Sequence, residues 1–278
     1  MYNGKIWCFG GRDDNTRYNS MHSFDLRTNT WSLVDQRGDV PSARTAHRGV
    51  IYKDHWWIYG GTTLDGITSG DFFKFDFGKF FLLFVCSVFC SHNFFPASEK
   101  WERISWKGEG PKPKTGHFMW IDGGHLYICC GEDSAEMDVN FNDEGFWRID
   151  LDKVVAHQVE WERVSLKHTS LSVHFLDGVQ AKVGAHVFFL MSRQMHVYTP
   201  SEGEVRVVSA APAESQSCMV ALDGVLYLVP EKSFNYCECS TLSSFVFFKL
   251  HYTLFTRFFL HFIVFIVTLP TWSLGGEI

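Results

Sequence analysis

The sequence lacks the short strings that carry the commonest hydrolytic and nucleotide chemistry. It contains no Gly-x-Ser-x-Gly, no phosphate loop and no His-Glu-x-x-His. Nothing in it singles out a converging set of His and Tyr ligands for a metal. We therefore expect a protein that is not an enzyme, with no catalytic residues, no bound metal and no cofactor.

Cysteine is also scarce. Eight cysteines in 278 residues are too few and too scattered for a disulfide scaffold. Cys8 and Cys129 occupy matched positions in two apolar strands, where a small buried hydrophobe is the ordinary interpretation. The chain opens Met1-Tyr2-Asn3 and enters a strand without a secretory signal. Together these features favour a reducing compartment, so we expect a cytoplasmic protein, with the nucleus as the alternative.

An excess of positive charge is missing as well. Lys and Arg number 25 against 31 Asp and Glu, a net charge of −6. A duplex-binding surface needs clustered positive charge to displace counterions, so we expect no nucleic-acid partner.

What the chain does contain is one pattern in three copies. Each copy is an apolar strand that ends in Gly-Gly or Cys-Gly, followed by an apolar-Asp step and then by a tryptophan. The doublets are Gly10-Gly11, Gly60-Gly61 and Cys130-Gly131, the aspartates are Asp25, Asp76 and Asp150, and the tryptophans are Trp31, Trp101 and Trp161. A period near 50 residues with apolar alternation predicts propeller blades of four short antiparallel strands.

These elements, together with the Pro-x-x-Arg-x-x-His turn formed by Pro41, Arg44 and His47, resemble the kelch repeat. The second turn departs from that pattern, because Lys114 replaces the arginine. A fourth copy is traceable through residues 187–208, and a fifth begins at Asp223. The resemblance implies an all-β, kelch-type β-propeller with about four to five blades. The resemblance also implies an incomplete propeller, because the chain opens at the position of a blade's second strand.

A phenylalanine-rich stretch interrupts the second copy. Asp25 and Trp31 are 6 residues apart, whereas Asp76 and Trp101 are 25 apart. Removing residues 78–96 restores the spacing of 6. Gly78-Lys79 can be encoded with a splice donor and Pro96-Ala97 with an acceptor in the same phase. We therefore interpret 78–96 as translated intron, with a genuine hydrophobic insertion as the alternative.

The C-terminal tail has the same character. Residues 240–278 are rich in phenylalanine and follow another donor-like string at Cys237-Glu238-Cys239. The rival interpretation is a weak membrane anchor, although the apolar run 258–269 is shorter than the roughly 20 residues that span a bilayer. The predicted organisation is then propeller in 1–77, insertion in 78–96, propeller in 97–239 and tail in 240–278. A membrane partner is expected only if the tail is real.

Features that recur once per copy favour a structural role. Asp25, Asp76 and Asp150 recur in this way, and so do His47 and His117, each 16 residues beyond a blade tryptophan. A catalytic carboxylate needs to be unique, whereas a blade repeats its scaffold. The acidic string from Asp138 to Gly145 resembles the start of a calcium loop, but it lacks the Gly and the bidentate Glu of an EF-hand and is interpreted as an enlarged blade loop.

The loops after the doublets, and the turns that precede each histidine, vary between copies while the strands do not. Loops on a rigid scaffold commonly carry binding residues. The candidate partner-binding residues are Arg12, Asp13, Arg17, Arg44, Thr63, Asp65, Lys114, Glu132 and Asp133. The arginines suit bidentate pairing with a partner's carboxylates. For Arg44, bracing of its own turn is the equally weighted alternative.

The predicted function is a non-catalytic protein–protein interaction module. The kelch resemblance implies an adaptor, since many relatives act as substrate-receptor arms of ubiquitin ligases. No BTB domain is visible in the sequence. The alternative is a metal-dependent oxidase or lyase built on the same propeller.

Overall fold

The described part of the chain is almost entirely β-structure. The computed structural model describes residues 1–78, 99–132, 145–155, 157–167, 178–191, 194–210, 217–222, 224–230, 246–251 and 263–266. Within these ranges the one helix is a short 3-10 turn, Leu151–Lys153. The chain divides into two compact units, Met1–Leu176 and Asp177–Ile278.

The first unit contains three larger sheets, which we call blades 1 to 3, and a two-stranded sheet of β5 and β8. Its strands are β1 (Lys5–Phe9), β2 (Met21–Asp25), β3 (Thr30–Leu33), β4 (Arg37–Gly38), β5 (Arg44–Thr45), β6 (Arg48–Tyr52), β7 (His55–Tyr59), β8 (Thr62–Thr63), β9 (Phe72–Asp76), β10 (Lys100–Trp106), β11 (Phe118–Asp122), β12 (His125–Cys129), β13 (Phe146–Asp150), β14 (Gln158–Val159) and β15 (Glu162–Val164).

Each blade is an antiparallel meander. Blade 1 has three strands in the order β1-β2-β3, and blade 3 has four in the order β11-β12-β13-β15. Blade 2 has the central order β6-β7-β9-β10, and its outer strand β10 also pairs in parallel with the short β4 and β14. The expected four-stranded blade is therefore confirmed in blades 2 and 3, and blade 1 has three strands.

The second unit contains two further four-stranded antiparallel sheets. One has the order β16-β17-β18-β19, and the other has the order β20-β21-β22-β23. The strands are β16 (Val179–Val183), β17 (His186–Met191), β18 (Gln194–Thr199), β19 (Glu204–Ala210), β20 (Ser217–Leu222), β21 (Val225–Pro230), β22 (Val246–His251) and β23 (Ile263–Ile266). The copy traced through residues 187–208 corresponds to β17, β18 and β19.

The second strand of blade 2 shows why a blade needs neighbours on both faces. Trp56 and Ile58 of β7 pack in one cluster with Phe9 of blade 1. Trp57 and Tyr59, which alternate with them, pack in another cluster with blade 3. Because strand side chains point to opposite faces in turn, one strand contributes to both interblade cores.

The blade tryptophans face the preceding blade. Trp101 of blade 2 is 1% exposed and lies with its ring centroid 5.0 Å from that of Phe9 in blade 1. Trp161 of blade 3 is likewise buried against Tyr59 and Phe72 of blade 2. Trp31 of blade 1 is 60% exposed. The tryptophan is therefore an interblade packing residue, and it is buried where a preceding blade covers it.

The recurring aspartates cap the turn between the third and fourth strands. Oδ1 of Asp25 accepts a hydrogen bond from the backbone N–H of Arg27 at 2.8 Å. Asp76 accepts one from Gly78 at 2.9 Å, and Asp150 accepts one from Asp152 at 3.0 Å. An aspartate that bonds the amide two residues on stabilises a turn. This geometry accounts for the recurrence in structural terms.

The interrupted copy closes with the same register as the uninterrupted one. Asp25 pairs with Thr30 in blade 1, and Asp76 pairs with Lys100 in blade 2. Glu99 and Asn29, the residues before the fourth strand, both have positive φ, at 102° and 54°. Removing 78–96 would leave Phe77 and residues 97–99 between the strands, a four-residue turn as in blade 1. Of the insertion 78–96, only Gly78 is among the described residues, because the structure does not describe residues 79–98. The interpretation of the insertion as intron therefore stays a prediction. In the tail, only strands β22 and β23 are described.

Trypsin digestion of the protein from its natural source tests this interpretation. We expect a peptide that joins Phe75-Asp76-Phe77 directly to Ala97-Ser98-Glu99-Lys100, because that junction restores the blade 1 turn. Tandem mass spectrometry distinguishes it from Phe75-Asp76-Phe77-Gly78-Lys79, the peptide of the uninterrupted chain. Detection of the second peptide without the first would show that the insertion is translated and retained.

Candidate functional site

The first two glycine doublets join blade 1 to blade 2 and blade 2 to blade 3 through the backbone. The Gly11 N–H donates to the carbonyl of Arg44 at 2.9 Å, and the Gly61 N–H donates to the carbonyl of Lys114 at 2.8 Å. Gly10 and Gly60 have φ values of +66° and +70°. A Cβ at Gly60 would lie 2.3 Å from the Lys114 oxygen. Only glycine fits there, so the loop after each doublet is held against the basic turn of the following blade.

Arg44 lies beneath this junction. Its side chain is fully buried, and its guanidinium donates to the carbonyls of Ser42 and Gly60, at 3.1 and 3.0 Å, and to Oδ2 of Asp71 at 3.1 Å. Burial lowers the pKa of Arg44, and the hydrogen bond to Asp71 opposes that shift. The sequence left two roles open for Arg44, partner binding and stabilisation of its own turn. The structure supports stabilisation of the turn, because the guanidinium is enclosed by that turn and by blade 2.

Lys114 occupies the equivalent position in the next blade. It is also buried, and its carbonyl receives the Gly61 amide. The structure thus places these two basic candidates inside the interblade contact rather than on the surface.

The loop after the first doublet is a compact turn organised by Asp13. Oδ1 of Asp13 accepts hydrogen bonds from the amides of Asn15 and Thr16, both at 2.8 Å, and Oδ2 accepts one from the Tyr18 hydroxyl. These bonds, with that from Tyr18 the largest influence, lower the pKa of Asp13. The carboxylate therefore fixes the loop, while Arg12 remains exposed at its base.

The loop after the second doublet is fixed in the same manner. The Thr63 hydroxyl hydrogen-bonds to the carbonyl of Ile67 at 2.9 Å and to the carboxylate of Asp65. The hydrogen bond from Thr63 lowers the pKa of Asp65 despite an opposing desolvation effect. Leu64 and Ile67 are 60% and 59% exposed on this loop.

A hydrogen bond connects these two loops into one surface. Nη1 of Arg17 donates to the carbonyl of Leu64 at 3.3 Å. Further along, the Thr62 hydroxyl donates to that of Thr115 at 3.1 Å, and Thr115 exchanges two backbone hydrogen bonds with Glu132. Candidates from blades 1, 2 and 3 therefore lie at one end of the blades, and Asp133 lies outside the described residues. We call the surface formed by Arg12, Arg17, Tyr18, Leu64 and Ile67 the doublet face; Arg17 is half-buried and the other four residues are exposed.

Sequence reasoning missed the apolar part of the doublet face. Leu64 lay inside a predicted binding loop, but only the polar residues there were selected. Tyr18 and Ile67 come just after the predicted loops, and Tyr18 is exposed. The available signal was a large apolar residue on either side of Asp65 in a loop otherwise made of turn-forming residues.

The recurrent histidines lie between the blades, His117 fully buried and His47 partly buried. His47 contacts Phe9 and His117 contacts Tyr59, each with its ring edge-on to the aromatic ring. Burial lowers the pKa of His47 to about 4, with smaller contributions from Arg44 and Arg48. The pKa of His117 is also lowered, chiefly by burial and then by Arg48 and Lys114. Both imidazoles are therefore neutral near pH 7. Within the described residues, no group of three His, Cys, Asp or Glu side chains could hold a metal ion.

Comparisons with known proteins agree with this architecture. The profile of the KLHDC2/KLHL20/DRC7 Kelch-repeats domain matches residues 1–82. The chain is similar to the leucine-zipper-like transcriptional regulator 1 homolog of Drosophila melanogaster, 33% identical over 34% of this chain and 11% of that protein. It is similar to the N-(sulfonatooxy)prop-2-enimidothioate sulfolyase of Thlaspi arvense, 29% identical over 46% of this chain and 32% of the enzyme.

A third similarity is to Kelch repeat-containing protein 2 of Saccharomyces cerevisiae, 36% identical over 26% of this chain and 9% of the relative. The chain thus matches a third or less of the length of each of these three relatives. Its sheets are the blades of a β-propeller. The chain carries kelch repeats, and the sequence-based assignment to the kelch-type propellers is confirmed.

Alanine at Gly60 tests the interblade junction. We expect Gly60→Ala to lower the free energy of unfolding by about 3 kcal/mol, because the new Cβ adds a backbone clash to the positive φ. Gly66→Ala is the matched control. Gly66 also has positive φ, at +83°, but nothing lies within 4 Å of its Cβ position. That change should cost only about 1 kcal/mol. Denaturant titration measures both, and equal losses would contradict the close approach at Gly60.

Acid should lower the free energy of unfolding already at pH values above those at which carboxylates take up protons. In the unfolded chain His47 and His117 take up protons near pH 6.5. In the folded chain the pKa of each imidazole is lower, so each takes up its proton only at a more acidic pH. Stability should therefore fall as pH drops from about 6.5 toward 4.5, by up to about 1.4 kcal/mol per pH unit for each histidine. Denaturant melts across this range should show a shallower slope for His117→Gln, and an unchanged slope would contradict the assignment. His22→Gln, on the partly exposed β2, is the control.

Proposed function

We propose that this chain is a protein-interaction module that carries out no catalysis itself and binds its partner through the doublet face. The observation that supports this most directly is the Arg17–Leu64 hydrogen bond, which makes one surface from the loops of two blades. A single loop would offer a partner only a small patch. Two joined loops offer exposed apolar side chains beside two guanidinium groups.

The rigidity of the two loops favours recognition. The Asp13 carboxylate and the Thr63 hydroxyl hold the backbone of their own loops. A pre-organised loop loses less conformational entropy on binding than a mobile one. Leu64, Ile67 and Tyr18 would supply apolar contact area, and Arg12 and Arg17 would pair with carboxylates at its edge.

A role as the recruiting arm of a larger assembly, such as a ubiquitin ligase adaptor, extends this proposal. It is supported by the kelch repeats that the chain carries. The described thiols Cys8, Cys129 and Cys130 are free, which suits the reducing cytoplasm or nucleus. Among the described residues no helix has the length and apolarity that crossing a bilayer requires.

Charge reversal on the doublet face tests the binding role. We expect the Arg12→Glu, Arg17→Glu double variant to lose at least nine-tenths of the co-purifying partner, because both guanidinium groups are replaced by repelling carboxylates. Quantitative mass spectrometry of proteins captured by tagged chain in its natural host measures this. Arg27→Glu is the control, since Arg27 is exposed in the turn at the opposite end of blade 1.

Circular dichroism would establish that both variants fold. Full retention of every captured protein by the folded double variant would contradict binding through the doublet face.

A lyase or oxidase activity is the second candidate, and the similarity to the Thlaspi arvense sulfolyase is what favours it. Elemental analysis of protein purified from its natural host tests the metal-dependent form of this alternative. Stoichiometric copper or iron would support an enzyme, and its absence at protein concentrations that bind the partner would support the interaction module.

A further inference from the structure

The third doublet differs from the others in a way that brings two thiols together. Cys129 is the last residue of β12, where it pairs with Phe118 and Phe146 and is fully buried. Cys130 follows it at the position that glycine occupies in blades 1 and 2, and it is partly exposed. Sγ of Cys130 lies 3.1 Å from Sγ of Cys129.

The backbone of the repeat creates this contact. In a regular strand, adjacent side chains point to opposite faces, which would separate the two sulfur atoms. Cys130 instead has φ +62°, the left-handed conformation that Gly10 and Gly60 adopt at +66° and +70°. This turn brings the Cys130 side chain back beside that of Cys129. A non-glycine residue in this conformation is uncommon, and here it places two nucleophilic atoms in contact.

We propose that Cys129 and Cys130 form a thiol-oxidation site that closes to a vicinal disulfide when it reacts with a low-molecular-weight disulfide such as glutathione disulfide. The difference in exposure assigns the roles. Cys130 is the more exposed of the two residues, so we assign it to the first exchange and assign the fully buried Cys129 to the resolving step.

The reaction balances in two exchanges. The Cys130 thiolate attacks one sulfur of glutathione disulfide, forming a mixed disulfide and releasing one glutathione thiolate, which takes up the proton that Cys130 lost. Sγ of Cys129 then attacks the Cys130 sulfur, and a second glutathione leaves with the Cys129 proton. The pair is oxidised by two electrons and glutathione disulfide is reduced to two thiols. The second exchange is intramolecular and starts from 3.1 Å, within the range of a near-attack geometry.

The local environment controls the first exchange. Burial raises the pKa of Cys130 well above its usual value, contact with Cys129 raises it further, and Lys114 acts in the opposite direction. The thiolate is therefore scarce near neutral pH, and oxidation is slow there. A mildly alkaline buffer is the suitable condition for the test.

Trypsin provides a direct assay on the folded, full-length chain. Cleavage after Lys114 and Arg148 releases peptide 115–148, which contains Cys129, Cys130 and no other cysteine. Cleavage after Lys5 and Arg12 releases peptide 6–12, whose one cysteine is the exposed Cys8. Glutathione disulfide is added in excess in a mildly alkaline buffer, and incubation is continued well beyond the time at which peptide 6–12 carries glutathione, because the Cys130 thiolate is scarce. Remaining thiols are then alkylated.

We expect peptide 115–148 to appear without alkylation and with the loss of two hydrogen atoms, which only the Cys129–Cys130 disulfide can produce. Cys130→Gly is the matched variant, because it restores the residue found in the other doublets and should fold at least as well as the parent. Its peptide should never lose two hydrogen atoms. Peptide 115–148 that stays fully alkylated, or that keeps glutathione without closing the ring, while Cys8 has reacted, would overturn the proposal.

Discussion

The backbone contact between a glycine doublet and the basic turn of the next blade is the constraint on which the first unit depends. The Gly11 and Gly61 amides meet the carbonyls of Arg44 and Lys114 at 2.9 and 2.8 Å, so neighbouring blades approach to the limit set by their main chains. That approach requires glycine in the doublet. It also involves a buried cation, because the Arg44 guanidinium donates the hydrogen bond that the buried Gly60 carbonyl accepts. The histidines and tryptophans then fill the space that the contact encloses.

The same contact determines where function can lie. It carries each doublet loop over the following blade, where Arg17 reaches the Leu64 carbonyl. Residues buried to make the contact, such as Arg44, are unavailable to a partner. Residues on the outer side of the loops are presented on a rigid support. Packing between the blades therefore decides which residues build the scaffold and which remain available to a partner. Arg44 belongs to the scaffold, whereas Arg12 and Arg17 lie on the doublet face.

Much of this fold could be predicted from spacing alone. Doublets, aspartates and tryptophans recurring near 50 residues identified the blades, and the aspartates proved to be turn caps as their recurrence indicated. The role of Arg44 could not be predicted, because its partners Gly60 and Asp71 are 16 and 27 residues away and only the fold brings them together. Exposure of Leu64 and Ile67 escaped prediction because an apolar residue in a loop is as often buried as exposed. The Cys129–Cys130 contact depends on one backbone dihedral angle, which the residue types alone do not specify.

Hydrogen exchange of the doublet amides, followed residue by residue by NMR, tests the interblade contact most directly. If the first two doublets are bonded to the next blade, the Gly11 and Gly61 amides should be as strongly protected from exchange as the amide of Ile58 in the centre of blade 2, because the two glycine amides open only when the blades separate. Exchange of Gly61 at the rate of Asp14, in the exposed loop of blade 1, would contradict the contact. It would also remove the support for a doublet face that extends across blades.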